Sequence, residues 1–356
     1  MTRPYPIRTL LVLLMAVLLV IGCKPADDPL PTPQPKPDDE DVQPFFAKGA
    51  DVSWVTEMEA RGYRFYNAAG QERECTALMK ELGFNAVRYR VWVNPANGYN
   101  SPREVLAKAL RARDLGMKVM IDFHYSDSWA DPGQQHKPKA WDGLALPDLV
   151  AAAAEHTRQT LTLLKDNRVD VAWVQIGNEV DNGMLWETCR VKDQSADAFI
   201  QCFNAAADAA RSVFPDAQIV LHLANGASPS VTNWFLDLMK AGGARYDVIG
   251  LSLYPSYWTN GAYPDWKSTT QALVSNLSML HIRYGCPVMV AEVGMPVAEP
   301  GKARDMLQYL FDNARSLAFC TGIFYWEPES EHDRNGYDYG AFAGGKPTEA
   351  LDPFRD

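Results

Sequence analysis

Residues 174–183 read "VQIGNEVDNG". Val174 and Ile176 belong to an apolar run with strand character, and the run then ends on Gly177, Asn178 and Glu179, an amide beside a carboxylic acid. An ionised carboxylate is costly to bury without partners. A strand that finishes this way points its end at a polar site.

The same pattern recurs along the chain. Eight apolar runs with polar endings follow one another: "FAKGADVSWV" from Phe46, "NAVRYRVWV" from Asn85, "KVMIDFHYS" from Lys118, "VAWVQIGNEV" from Val171, "QIVLHLANG" from Gln218, "VIGLSLYP" from Val248, "PVMVAEVGMP" from Pro287 and "GIFYWEPES" from Gly322. Their starts lie about 39 residues apart on average, room for a strand, a loop and a helix. Between them stand segments such as "SPREVLAKALRARDLGM" and "LPDLVAAAAEHTRQTLTLLKD", apolar at helical spacing, with Ser101 and Asp148 placed to cap them. Near-continuous apolar strands separated by helices argue for a parallel sheet buried on both faces. Eight of them in about 300 residues predict a single (β/α)8 barrel, the TIM barrel, an α/β fold. A doubly wound sheet would announce a glycine-rich first turn, which is missing.

The start of the chain is different material. Arg3 and Arg8 precede the 12-residue apolar run Leu10–Ile21, too short to span a bilayer comfortably and suited to a secretory signal. The following "LLVIGC" resembles a bacterial lipobox, which implies cleavage before Cys23 and lipidation of that cysteine. Lys24–Pro44 holds seven prolines in 21 residues, with six acids against two lysines, and reads as a solvated tether able to reach roughly 60 Å. The expected organisation is therefore a signal over 1–23, a linker over 24–44 and a catalytic domain over 45–356. The product would be extracytoplasmic, held to a membrane through its lipid alone. Lys24 after Cys23 lacks the aspartate that commonly marks inner-membrane retention, so the outer membrane of a Gram-negative bacterium is expected.

Composition narrows the partners. The chain has 356 residues, 47% of them hydrophobic, and a net charge of −10 with no lysine- or arginine-rich block. A nucleic-acid partner is not expected, and a neutral substrate suits the balance better. A monomer is expected. After Cys23 there remain Cys75, Cys189, Cys202, Cys286 and Cys320, at spacings that match no metal pattern. Cys286 and Cys320 read as core residues, and Cys189 with Cys202 is the pair to test first for a bridge.

In a barrel of this kind the working residues project from the C-terminal strand ends. Those ends carry Asp51, Ser53 and Trp54, then Arg88 and Arg90, then Asp122, His124, Ser126 and Asp127. The later ones carry Asn178 and Glu179, His222 and Asn225, Tyr254, Glu292, and finally Trp326 and Glu327. Glu179 and Glu292 each follow apolar residues directly, and a pair of carboxyl groups facing one cleft is what glycoside hydrolysis uses. Arg88 and Arg90 share strand parity, so both can face inward, where an arginine keeps a neighbouring carboxylate ionised. One of the two is expected in a structural ion pair. Trp54, Trp92, Trp129, Trp141, Trp186, Trp258 and Trp326 fall at or beyond strand ends, where flat rings stack on sugar faces. About half of these are expected to be ordinary packing, with Trp326 the best platform. Zinc would need three or four ligands and would use up the acid pair, so no metal and no cofactor is expected.

These blocks resemble glycoside hydrolase family 53, the endo-β-1,4-galactanases, within the large clan of (β/α)8 retaining hydrolases. The match runs from about Phe46 to Trp326 through "GADVSWV", "GFNAVRYRVWVNPANG", "IDFHYSDSWADPGQQHKPKAW", "VQIGNEV", "LHLANG", "LSLYPSYW", "VAEVGMP" and "FYWEPE" in the family's order. The resemblance implies Glu179 as acid/base and Glu292 as nucleophile, 113 residues apart. It implies that Arg88, His124, Asn178, His222 and Tyr254 surround the reacting sugar, with Tyr254 near Glu292 and Trp326 beneath the ring. Asp51, Trp54, Asp127 and Trp129 complete the expected substrate contacts, and the substrate would be the β-1,4-galactan of type I pectic arabinogalactan. Some bacterial members are said to carry calcium near an extended loop after the seventh strand. Here "GMPVAEPGKARDML" returns to a helix quickly, which supports the expectation of no metal, although the acidic Glu329–Phe342 is where calcium would be sought. The competing readings are another clan activity, mannanase or xylanase, and a catalytically silent glycan-binding lipoprotein, whose mark would be loss of one glutamate.

Overall fold

The computed structural model describes residues 45–192, 195–256 and 265–355. The signal segment, Cys23, the linker over 24–44 and Trp258 lie outside the described residues.

All eight apolar runs form strands: β1 Ala47–Asp51, β2 Ala86–Val91, β3 Lys118–Phe123, β4 Val171–Ile176, β5 Gln218–Leu223, β6 Val248–Leu253, β7 Val288–Val293 and β8 Cys320–Trp326. Every neighbouring pair is parallel, and β1 closes on β8, so the sheet is a complete barrel. Helices fill the connections: α1 Cys75–Glu81, α2 Pro102–Asp114, α3 Leu146–Asp166, α4 Asp197–Val213, α5 Pro229–Gly242, α6 Trp266–Tyr284 and α7 Pro300–Ala314, with a 3-10 turn at Glu349–Phe354 after β8. Among the described residues no helix is long and apolar enough to cross a membrane.

Strand alternation divides the core in two. One set of side chains, among them Val87, Ile121, Val174, Leu221 and Ile323, packs outward against the helices. A smaller cluster of Ala47, Ala86, Met120, Trp173, Val220, Val248, Met289, Ala291 and Phe324 plugs the barrel's interior. Large rings stand beside small residues there, as close packing requires. A Cβ on Gly49 would fall 2.0 Å from the Phe324 ring, so this position has room for hydrogen alone. Above the plug the inward positions turn polar, and that change creates the floor of the site.

Two local expectations are corrected. Ser101 stands at the start of α2, but its hydroxyl donates to the Gly98 carbonyl (2.7 Å) instead of capping the helix. Asp148 lies inside the first turn of α3, where Ala145 occupies the boundary and Leu146 and Pro147 start the helix. There its charge favours the helix dipole without being a cap. Cys189 and Cys202 are buried with their sulfurs 3.1 Å apart, both as free thiols. Cys320 is buried at the start of β8, whereas Cys286 is only partly buried and precedes β7.

Candidate active site

The strand ends surround a cavity of about 700 Å³, lined among others by His124, Trp129, Asn178, Glu179, Ser252, Tyr254, Glu292, Trp326 and Tyr337. Glu179 reaches it through an uncommon backbone. Gly177 has φ +80°, and a Cβ there would meet Val180 at 2.5 Å. Glu179 itself has φ +46°, left-handed for a residue with a side chain. Such conformations persist when surrounding structure imposes them, and they concentrate at functional sites. The turn lifts Glu179 out of the strand line while Asn178, 7% exposed, stays below it.

Arg88, fully buried, organises the floor. Its guanidinium bonds Asp51 (2.7 Å), Asp122 (2.9 Å), Glu292 (2.9 Å), the Asn178 side-chain oxygen (2.8 Å) and Gln175 (3.1 Å). Glu292 is further held by the Tyr254 hydroxyl, which donates to Oε2 at 2.8 Å. Burial and the Glu292 charge push the Tyr254 hydroxyl well up, so it keeps its proton for that bond. Burial raises both carboxyl groups. For Glu292 the neighbouring Arg88 opposes the rise, whereas Glu179 is pushed further up by the charge of Glu292 itself. Of the coupled pair, Glu179 therefore keeps the proton and Glu292 carries the charge.

The histidines are partnered. The Trp92 indole N–H donates to Nδ1 of His124 (3.1 Å), so the His124 hydrogen lies on Nε2, facing Asp122 at 2.9 Å. His222 contacts Ser252 through Nε2 (2.9 Å) and lies 3.0 Å from the Asn178 oxygen through Nδ1. Above them Trp54, Trp129, Trp326 and Tyr337 form an aromatic wall, with ring centroids 4.6 Å apart for Trp326 and Tyr337 and 5.3 Å for Trp54 and Trp326.

The structure thus brings together Glu179, Glu292, His124, Trp129, Asn178, Tyr254 and Trp326 at one cavity. It places others differently. Asp51, Arg88 and His222 have no exposed surface and form the layer beneath, where they hold the residues that line the cavity. Asp127 lies away from it, its carboxylate accepting from the amides of Asn94 and Lys139 (both 2.9 Å) to tie two loops. Trp54 supports Trp129 and Trp326 from the side. Trp92 and Trp141 are buried packing residues, and Trp186 donates to the Asn182 carbonyl (3.0 Å). Arg90 is the arginine of the structural pair, bonded to Glu327 and stacked on Trp129 at 4.4 Å. Ser252 and Tyr337 were not among the expected residues. Ser252 has the parity of Tyr254 and pairs in register with Glu292, a signal available from strand alternation. Tyr337 comes from the segment after β8 and carries no such signal.

Among the described residues no group of three or more His, Cys, Asp or Glu is arranged to hold a metal ion. In the acidic stretch after β8, Glu331 accepts from the amides of Gly344 (3.0 Å) and Gly345 (2.7 Å).

The family model of glycosyl hydrolase family 53 matches residues 47–350. The chain belongs to that family. This family 53 member is therefore a glycoside hydrolase, and its relatives agree over most of their length. It is 32% identical to the endo-β-1,4-galactanase of Bacillus subtilis over 81% of this chain and 71% of the relative. It is 32% identical to a probable arabinogalactan endo-β-1,4-galactanase A of Neosartorya fischeri, over 79% of this chain and 83% of the relative. A solved fungal β-1,4-galactanase superposes with a TM-score of 0.78 at 28% identity, covering 86% of this chain and 98% of the other.

Proposed function

We propose that this family 53 enzyme hydrolyses internal β-1,4-galactosidic bonds of pectic galactan with retention of configuration. The observation that carries the reading is the unequal carboxyl pair: Glu292 bonded to Arg88 and Tyr254, and Glu179 without a directly bonded cation, at one cavity with Trp129 and Trp326. Glu179 gives its proton to the glycosidic oxygen as that bond breaks, and Glu292 attacks the anomeric carbon to form a covalent galactosyl-enzyme. Glu179, now a carboxylate, takes a proton from water. The water oxygen bonds to the anomeric carbon and Glu292 leaves with its electron pair. Asn178, anchored by Arg88 and by its own donation to the Ala130 carbonyl (2.9 Å), offers a fixed contact for the sugar's 2-hydroxyl. Flat rings at Trp129 and Trp326 suit stacking on sugar faces.

The galactan preference rests on the activity of the relatives. Reducing-sugar release from galactan, mannan and xylan side by side tests it. Preferential cleavage of galactan is expected, and faster release from mannan or xylan would move the enzyme to another activity of the clan. No cleavage of any of them, with galactan still bound, would favour the glycan-binding reading.

We further propose that the chain is a lipoprotein, cut before Cys23 and held by the 24–44 tether with its catalytic domain outside the cytoplasm. The apolar run, the lipobox-like "LLVIGC" and the proline-rich segment support this. Cys23→Ala should release the enzyme from the membrane fraction. Unchanged membrane association of that variant would contradict the anchor.

A further inference from the structure

Ser252 stands between the two catalytic strands' carboxyl groups without belonging to either role. It is 2% exposed on β6, its hydroxyl donates to Oε1 of Glu179 at 2.6 Å, and its oxygen lies 2.9 Å from Nε2 of His222. A serine hydroxyl has one hydrogen, so the direction of the chain depends on His222. Nδ1 of His222 is reached by the amide N–H of Glu179 (3.4 Å) and by the Gln175 side-chain NH2 (3.1 Å). One Gln175 hydrogen goes to Asp122 (2.6 Å), which leaves the other for Nδ1, while the Asn178 oxygen, 3.0 Å from the same nitrogen, already accepts from Arg88 (2.8 Å). With donors converging on it, Nδ1 is the acceptor and Nε2 carries the hydrogen. Nε2–H then donates to the Ser252 oxygen, and the Ser252 hydrogen is left for Glu179.

We propose that Ser252 is a positioning residue for the acid/base: it commits its one hydroxyl hydrogen to Oε1 of Glu179, so that the catalytic proton is held on Oε2. This inference rests on the assignment of Glu179 as the acid. As Oε2 gives its proton to the leaving sugar, charge develops on the carboxylate, and the bond from Ser252 to Oε1 becomes charge-assisted. His222 keeps the serine from turning away. Its own pKa is lowered well below the usual histidine value by burial and by the Arg88 charge, so it stays neutral and retains the Nδ1 lone pair.

The charged and titratable groups facing Glu179 are Glu292 from β7, Asp181 beyond its own strand, Arg88 from β2, His222 from β5 and Tyr254 from β6. Against that background the Ser252 bond favours the charged form of Glu179, so its removal should raise the basic limb of the pH profile of kcat/KM.

The test is Ser252→Ala beside Ser252→Thr, measured on galactan and on aryl β-galactobiosides whose leaving groups run from phenol to dinitrophenol. Dinitrophenol leaves without protonic help, whereas galactan needs it. Ser252→Ala should lower kcat/KM on galactan about 10- to 100-fold. On the dinitrophenyl substrate it should fall less than about threefold, and the basic limb should move to higher pH. Ser252→Thr, which keeps the hydroxyl, should restore much of the galactan rate. Partial misfolding lowers both substrates alike, so the ratio between them isolates the acid step. Equal losses on both substrates, or an unmoved basic limb, would overturn the role of Ser252. Glu179→Gln in the same series separates the two ideas. If it shows the leaving-group dependence and Ser252→Ala does not, the acid assignment stands and this inference fails; if Glu179→Gln shows none, the assignment of the acid fails.

Discussion

Two buried carboxyl pairs lie side by side in this barrel, each with an arginine from β2. In the first, Arg88 bonds Glu292 and leaves Glu179 without a cation of its own; Glu327 and Glu329 lie with Arg90, two residues further along the same strand face. By sequence they look alike, polar residues closing apolar strands. Glu327 even shares the left-handed backbone of Glu179, with φ +48°. The difference is access. Glu292 is 5% exposed at the cavity, while Glu327 and Glu329 have no exposure at all, with Arg90 enclosed by Trp54, Trp92 and Trp129. Burial holds Glu329 well above the usual carboxylate range, and the Glu327 charge adds to it, so it is a neutral acid with nowhere to send its proton. A pair of buried acids becomes a machine only where a substrate can reach both.

The comparison is broken most severely at Glu292. Glu292→Gln keeps the shape and removes the proposed nucleophile, so kcat/KM on galactan should fall by about a thousandfold or more with the unfolding midpoint nearly unchanged. Retention of near-normal activity would move the nucleophile elsewhere. Next comes Arg88→Lys, which keeps a positive charge but cannot span Asp51, Asp122, Asn178 and Glu292 together. Loss of about 10- to 100-fold is expected, with the acid limb of kcat/KM moving to higher pH because the short guanidinium bond that favours the charged form of Glu292 is lost. An acid limb that stays in place would remove Arg88 from that role.

The smallest effect belongs to the sealed pair. Both of its acids have folded pKa values above their unfolded ones, Glu327 at about 6 against 4.5 and Glu329 further up. Their stabilising contribution is therefore complete below about pH 4.5 and is lost as pH rises, through about 6 for Glu327 and at higher pH for Glu329. Glu329→Gln copies the neutral acid and should flatten that dependence, raising the midpoint at about pH 8 by roughly 2–4 °C while leaving activity within about twofold. A lowered midpoint in melts above neutral pH would show that Glu329 is charged in the folded protein.

The eight strands were legible because a strand covered on both faces must be apolar throughout, and a polar ending then stands out. Glu179, Asn178, Glu292, His124 and Tyr254 were legible for the same reason. Depth was not. Asp51, Arg88 and His222 have the parity of cavity residues but lie a layer lower, and that level is set by the stagger of neighbouring strands, which no single strand reveals. Nor could the pattern tell Asp127, tied to two backbone amides, from an acid facing substrate. Ser252, flanked by leucines, does not stand out within its apolar run although it shares the parity of Tyr254. Tyr337 arrives from a loop with no periodicity to place it.

The central claim is that Glu292 attacks carbon directly while Glu179 supplies and recovers the proton. Retention goes with carboxyl groups roughly 5–5.5 Å apart, and inversion with roughly 6.5 Å or more. The most direct measurement is the proton NMR spectrum of newly released galacto-oligosaccharides, recorded before mutarotation. The β-anomer should form first at the new reducing end; the α-anomer forming first would mean a single displacement by water, and Glu292 could not be the nucleophile.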